Sequence, residues 1–165
     1  MANEVATLFL DYSDRKLVQM VGSMTACLER LNDKQVWRRG GEHENAVGNL
    51  VLHLCGNMRQ WIMHGVGGAP DVRVRDAEFA AREGLSGAEL VAMFAATVEE
   101  ARGVLASLPH ERLVERTDPQ KRGMVSVLEA IYQVVGHVQL HVGQVMVLTK
   151  QMVGTDLDLS MPRPR

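Results

Sequence analysis

Hydrophobic residues recur every three or four positions in four long stretches of the chain, and polar or glycine-containing segments separate these stretches. This spacing places the apolar side chains on one face of an α-helix. The pattern predicts helices over about residues 4–31, 45–64, 86–107 and 126–152. No stretch has the strict alternation of a half-buried strand, and no internal repeat is present. We therefore expect an all-α fold, a four-helix bundle formed by one domain over residues 1–165.

Capping residues mark the third and fourth helices. Ser86 and Glu89 have the spacing of a capping box, in which each side chain bonds the backbone amide of the other residue. Ser126 and Glu129 repeat this arrangement at the start of the last helix. Gly154 follows that helix as a natural C-terminal cap. The tail after it, which ends Met-Pro-Arg-Pro-Arg, is predicted to be extended.

The last predicted helix carries His137 and His141, which are four residues apart. Side chains at this spacing point in the same direction, so both imidazoles can reach one atom. The apolar residues Ala130, Val134 and Val145 share this side of the helix, which indicates that the pair faces the interior. Buried histidines that bond their neighbours are the commoner explanation of such a pair. A third ligand on another helix would favour a metal site.

The second predicted helix has a mixed polar face around His53. Asn49, Asn57 and Gln60 lie on the same side, which is unusual for a dry core and suits a cavity that contains water. The opposite side is apolar through Val51, Leu52, Met58 and Ile62. Because a bundle cannot bury both sides of every helix, we expect this apolar side to form the interface of a homodimer.

His53 can face His137 and His141 across the bundle. Three neutral imidazoles are suitable ligands for Zn²⁺, Ni²⁺ or another late first-row divalent metal ion. Three protein ligands leave one coordination position open, as in catalytic zinc sites, and a metal ion there would acidify bound water or a bound thiol. The polar residues beside the histidines, which are candidates to orient the imidazoles or to line the cavity, are Asn49, Asn57, Gln60, Gln133 and Gln144.

Other histidines and the cysteines are weaker candidates for ligands. Cys55 lies two residues from His53, so its side chain points away from the histidine face. The sequence does not exclude Cys27 as a metal ligand, but neither cysteine belongs to a closely spaced zinc motif. His64 lies about three turns along the helix, about 16 Å from His53 by helical rise, which is too far to share an ion.

Composition narrows the classes of function. The chain has 165 residues, enough for one sizeable core. Its net charge of −2 gives no bulk attraction to nucleic acid or to a membrane surface, and no apolar run is long enough to span a bilayer. We recognise no secretory leader at its start and expect the two cysteines to be reduced. These features predict a cytoplasmic protein that binds neither nucleic acid nor membranes.

The connection over residues 65–84 is long for a compact bundle, and such loops often form a lid or a rim around a site. Its arginines, Arg73 and Arg75, either pair with the nearby Asp76 and Glu78 or contact an anionic ligand. Of these two interpretations, solvated ion pairs are the more common.

Several segments resemble the DinB-like superfamily, and most closely its DUF1572 branch. Residues 45–61, which contain His53, are similar to the second-helix motif of that family. Residues 136–144 resemble its last-helix motif, in which two histidines four residues apart precede Gly-Gln. Residues 67–71 and 75–79 match its middle loop, so the resemblance covers nearly the whole chain.

The resemblance implies a four-helix bundle with crossover connections, frequent dimers and a three-histidine metal site on His53, His137 and His141. Characterised relatives include metal-dependent enzymes that use thiols such as mycothiol or bacillithiol. Our leading hypothesis is therefore a metal-dependent thiol S-transferase that acts on a small electrophile, with the thiol as cosubstrate. A metal-dependent hydrolase and a non-catalytic metal-binding or stress-related protein are the alternatives.

Overall fold

The computed structural model describes residues 2–159. Of the tail predicted to be extended, residues 155–159 form no helix or strand, and residues 160–165 lie outside the described part. The α-helices are α1 (Ala2–Leu28), α2 (Asp33–Val36), α3 (Val47–Met58), α4 (Arg75–Ala80), α5 (Gly87–Ala106) and α6 (Val127–Val153). The other elements are a π-helical turn (Arg59–His64) that continues α3, a 3₁₀ turn (His110–Val114), and the strands β1 (Arg116–Thr117) and β2 (Val125–Ser126).

The all-α prediction is confirmed, and the four long helices lie where the apolar periodicity places them. Their termini follow the caps. The Ser86 hydroxyl accepts a bond from the Glu89 amide at 3.3 Å, and the Ser126 hydroxyl accepts one from the Glu129 amide at 3.1 Å. Gly154 ends α6 in the left-handed conformation, with φ of 72°. These short-range bonds explain why the sequence predicts both helix starts closely.

Smaller elements depart from the prediction. Helix α1 ends at Leu28, before the predicted residue 31, and Asn32 forms a capping box with Gln35 that starts α2. Helix α4 lies in the connection that the sequence shows as irregular. The strands β1 and β2 pair antiparallel, with Arg116 opposite Ser126. Each strand has two residues, which is too short to produce a recognisable alternation.

The long helices form a bundle in which consecutive helices are not always neighbours. Helix α1 packs against α5 and α6, and α3 packs against the same two helices. Helices α1 and α3 are therefore diagonal partners, as are α5 and α6. The chain crosses the end of the bundle between each diagonal pair, which confirms the expected crossover connections.

The packing of α3 contradicts the predicted dimer interface. Val51, Met58 and Ile62 are at most 1% exposed, and Leu52 is half-buried. They are buried within the chain because α3 lies between α5 and α6 and is also covered by α4. The expectation that this face binds a second subunit is therefore wrong. No helix in residues 2–159 is long and apolar enough to cross a membrane.

Candidate metal centre

Helices α3 and α6 bring three imidazoles together. His53 projects from α3, while His137 and His141 lie one turn apart on α6. Each histidine has one ring nitrogen directed into the cluster, and these three nitrogens lie within 4.8 Å of one another. The Nε2 atoms of His53 and His137 are 2.9 Å apart. The cluster thus joins the two helices that the histidine spacing predicts to face each other.

A buried carboxylate from α4 orients His53. The Glu78 Oε2 atom lies 3.0 Å from His53 Nδ1. Burial raises the pKa of Glu78, but hydrogen bonds and charge from Arg73 and His53 outweigh this effect and lower it. An ionised carboxylate only accepts hydrogen bonds, so the contact with Glu78 favours a proton on Nδ1 of His53, which also lies 3.0 Å from Nη2 of Arg73. With the proton on Nδ1, the Nε2 lone pair of His53 faces the other histidines, 2.9 Å from Nε2 of His137, as metal-ligating histidines require.

Arg73 holds Glu78 through a bidentate ion pair. Its Nε and Nη2 atoms donate to the two carboxylate oxygens at 2.8 Å each, and its Nη1 atom donates to Gln60 at 3.0 Å. The Arg73 side chain is 3% exposed, so the predicted solvated ion pair is wrong for this residue. Gly56 makes the approach possible, since a Cβ atom there would overlap the Glu78 carboxylate.

Asn49 anchors α4 beneath the site. Its amide nitrogen donates to the backbone carbonyls of Glu78 and Ala81 at 2.9 Å, and its oxygen accepts a bond from Arg39 at 2.8 Å. The side chain is fully buried. The sequence predicts Asn49 as an orienting or cavity residue, whereas its hydrogen bonds go to the backbone of Glu78 and Ala81, to the Arg39 side chain and to the Ala46 amide. It acts on His53 only through the position of Glu78.

The two histidines of α6 are neutral at ordinary pH. Burial lowers the pKa of His137 to about 4, and the neighbouring histidines add to this effect. Burial also lowers the pKa of His141. The Gln144 side-chain oxygen lies 2.7 Å from His141 Nδ1 and accepts a hydrogen bond from it, which leaves the Nε2 lone pair available to a ligand. Gln144 therefore lies beside the imidazole that the sequence predicts it to orient.

A polar cavity of about 460 Å³ opens beside His53 and His137. Part of its wall is the π-helical turn, and such turns are frequent at functional sites. Asn57, Gln60 and Gln133, which the sequence places beside the histidines, line the cavity. The remaining lining residues are Trp61, Arg73, Arg75, Gln120 and Arg122.

The sequence interpretation named Glu78 only as an ion-pair partner of the arginines, and it assigned no role at this site to Trp61, Gln120 or Arg122. Glu78 lies in a segment that resembles the family's middle loop, and an acidic residue within that segment was the available signal. Gln120 and Arg122 belong to the loop between β1 and β2. Nothing in their local sequence pattern identifies them, because their approach to α3 depends on the path of the loop.

The other candidate ligands lie elsewhere. The His64 ring bonds the Ala69 carbonyl at 2.6 Å. Cys27 and Cys55 are buried free thiols, and neither belongs to the histidine cluster found in residues 2–159. Burial raises the pKa of Cys55 to about 11, so this thiol is protonated at neutral pH. Arg59, which is not a candidate ligand, forms a partly exposed ion pair with Glu100, 3.5 Å away.

The donor set fits a divalent metal ion. Metal binding requires neutral imidazoles, and the lowered pKa values of His137 and His141 favour that form. Tetrahedral zinc with bonds of about 2.0–2.1 Å separates two nitrogen ligands by about 3.4 Å. The Nε2 atoms of His53 and His137 are 2.9 Å apart, which is closer than this separation, so the two rings would have to move apart to share an ion.

Comparisons with known proteins agree with this fold. A crystal structure of a conserved protein from Enterococcus faecalis has a TM-score of 0.72 at 14% identity, covering 88% of this chain and 97% of that one. A DinB-like protein from Bacillus subtilis has a TM-score of 0.66 at 16% identity, covering 87% and 93% respectively. No curated protein matches the chain significantly. The model of the family described as "Protein of unknown function (DUF1572)" matches residues 4–165, and the chain therefore belongs to this family.

Proposed function

We propose that the protein is a metal-dependent enzyme that transfers a low-molecular-weight thiol to a small electrophile. His53, His137 and His141 would hold the metal ion, with Zn²⁺ or Ni²⁺ as the best candidates for three nitrogen ligands. The observation that supports this proposal is the convergence of three imidazoles, two of which, those of His53 and His137, line an open polar cavity. Three ligands leave a coordination position open, and the cavity would let a small molecule reach it.

The chain's own residues prepare the site for this chemistry. Glu78 lies 3.0 Å from Nδ1 of His53, and the Gln144 oxygen lies 2.7 Å from Nδ1 of His141. These bonds hold the ring orientations, so little entropy would be lost when an ion binds. A bound divalent ion would supply the charge that favours the deprotonated form of a thiol. The cavity wall offers amide and guanidinium groups, which suit a polar thiol rather than an apolar one.

Two alternatives follow from the same geometry. The polar cavity would also admit water, and a metal ion that acidifies water would support hydrolysis of an ester or amide. A non-catalytic metal-binding protein would need no such opening beside its ligands. The cavity next to His53 and His137 therefore favours an enzyme over a purely metal-binding role.

A thiol titration of the cobalt-substituted protein tests the proposal. Bacillithiol, mycothiol, glutathione and coenzyme A would each be added while the absorption spectrum is recorded. We expect one of them to produce a thiolate-to-cobalt charge-transfer band, and we expect His141→Ala to lack it. His64→Ala is the matched control and should keep the band, because its ring lies outside the cluster. Metal-dependent hydrolysis without any thiol band would favour the hydrolase, and a negative result in both assays would favour the non-catalytic role.

We also propose a homodimer, formed through α6 rather than α3. One face of α6 exposes four apolar side chains, those of Leu128, Tyr132, Leu140 and Val147. The most exposed is Tyr132, at 72%. Gly136 lies between them on the same face, and a Cβ atom there would meet no other atom within 4 Å. An exposed apolar stripe of this length is unusual for a monomer and suits contact with a second copy.

A further inference from the structure

The cavity beside the metal ligands carries positive charge that no acidic residue in its wall balances. Its lining includes Arg73, Arg75 and Arg122 but neither aspartate nor glutamate. Glu78, which lies behind Arg73, neutralises that guanidinium. Arg75 stacks over the Phe79 ring at 4.9 Å, and neither Arg75 nor Arg122 forms an ion pair within residues 2–159. This local excess contrasts with the net charge of −2 for the whole chain.

Unpaired polar atoms lie in the same wall. Asn57 is 6% exposed, and its side-chain oxygen has no hydrogen-bond partner in residues 2–159. The indole Nε1 of Trp61 is buried and also lacks a partner there. Buried polar groups in folded proteins are usually hydrogen-bonded, and leaving them unpaired costs free energy. Both residues line the cavity, so a ligand within it could satisfy a donor and an acceptor together.

The loop that carries Arg122 is held in place. The Asp118 carboxylate accepts bonds from the backbone amides of Arg122 at 2.9 Å and Gly123 at 3.1 Å. Gln120 donates to the side-chain oxygen of Gln60 at 3.1 Å, which ties this loop to the π-helical turn. The backbone of Arg122 is thus anchored, and its side chain lines the same cavity as Arg75.

We propose that Arg75 and Arg122, with the indole N–H of Trp61, form an anion subsite for a carboxylate or phosphate group of the molecule that occupies the cavity. This inference rests on the proposed function, since it assigns a substrate class to the same site. Guanidinium groups bind these two anions through charge-assisted and often bidentate hydrogen bonds. The volume of about 460 Å³ lies within the range of small-molecule pockets.

Isothermal titration of the full-length protein tests the subsite without any catalytic reaction. The probes are succinate, inorganic phosphate and uncharged succinamide, and each is titrated into protein with bound Zn²⁺ and into protein stripped with EDTA. We expect succinate or phosphate to bind in both states and succinamide to bind in neither. Binding to the stripped protein separates the subsite from direct coordination of the metal. It also makes failure of the subsite distinguishable from failure of the thiol chemistry.

Matched variants assign the binding to residues. Arg75→Gln and Arg122→Gln should each weaken anion binding by about tenfold, the loss expected for one charge-assisted hydrogen bond. Arg15→Gln makes the same change of charge on the exposed face of α1 and should leave the affinity unchanged. Circular dichroism confirms that the variants fold. The proposal is overturned if neither anion binds, if binding occurs only with Zn²⁺ present, or if the double variant binds as tightly as the original protein.

Discussion

The Glu78 carboxylate lies 3.0 Å from Nδ1 of His53 and is itself held by Arg73 at 2.8 Å. This chain of contacts connects the metal-facing imidazole to the short helix α4, which lies outside the four long helices. The connection over residues 65–84 is therefore part of the candidate metal centre and does not simply form its rim. The contact with Glu78 holds Nδ1 of His53 away from the cluster, so Nε2 is the ring nitrogen that faces it.

Replacement of Glu78 by Gln should weaken metal binding while the fold is kept. The amide can still accept a bond from Arg73, but it no longer supplies the negative charge that increases the basicity of His53. Loss of such an outer partner typically reduces metal affinity by about 10–100-fold. Competition with a chromogenic chelator measures this change. Glu100→Gln, which changes the partly exposed partner of Arg59, is the control. Unchanged affinity in Glu78→Gln would contradict the orienting role.

Each of the three histidines should be necessary for stoichiometric metal binding. His53→Ala, His137→Ala and His141→Ala remove one of three ligands, and elemental analysis of the purified proteins should show loss of the bound metal. His64→Ala should retain it, since that ring bonds the Ala69 carbonyl. Full metal content in the His137→Ala protein would refute the three-histidine assignment.

Removal of the metal should leave the bundle folded. The four long helices bury a continuous aliphatic core that does not depend on the histidine cluster. This differs from a zinc finger, in which the ion supplies the folding free energy. Circular dichroism before and after treatment with EDTA should therefore show the same helical content. A lower melting temperature without the ion is expected, because a ligand that binds only the native state stabilises it. Loss of the helical signal on chelation would show that the core is insufficient.

Gly56→Ala should destabilise the protein although alanine favours helices. The added Cβ atom would overlap the Glu78 carboxylate, and forcing extra atoms into a packed site costs about 1–3 kcal/mol. Gly103→Ala is the matched control within α5, where a Cβ atom would meet nothing within 4 Å. That change should stabilise by about 0.5–1 kcal/mol. Urea unfolding compares the two variants, and a gain in stability for Gly56→Ala would contradict the close approach of α4.

Leu140→Glu should dissociate the proposed dimer without unfolding the protomer. Leu140 is 61% exposed on α6, so a charge there would disrupt a contact between subunits but no internal packing. Light scattering should show a dimer for the original protein and a monomer for this variant. Ile62→Glu should instead unfold the chain, because Ile62 is 1% exposed and a buried unpaired charge is costly. A monomeric mass for the original protein at micromolar concentration would contradict the dimer.

Local patterns in the sequence determine the long helices and the pairing of the α6 histidines. Apolar periodicity and capping boxes act over three to four residues, so they can be recognised without knowledge of the fold. The same periodicity places His137 and His141 on one inward face. The mixed polar face around His53 also follows from spacing along a single helix.

Tertiary structure alone decided what surrounds those histidines. Glu78, Arg73 and Arg122 reach the site from connecting segments, whose paths depend on contacts between residues far apart in sequence. The apolar side of α3 faces α5 rather than a second subunit, because the crossover topology places α3 between two neighbours. A helical wheel shows which side of a helix is apolar, but the arrangement of the other helices decides what covers it.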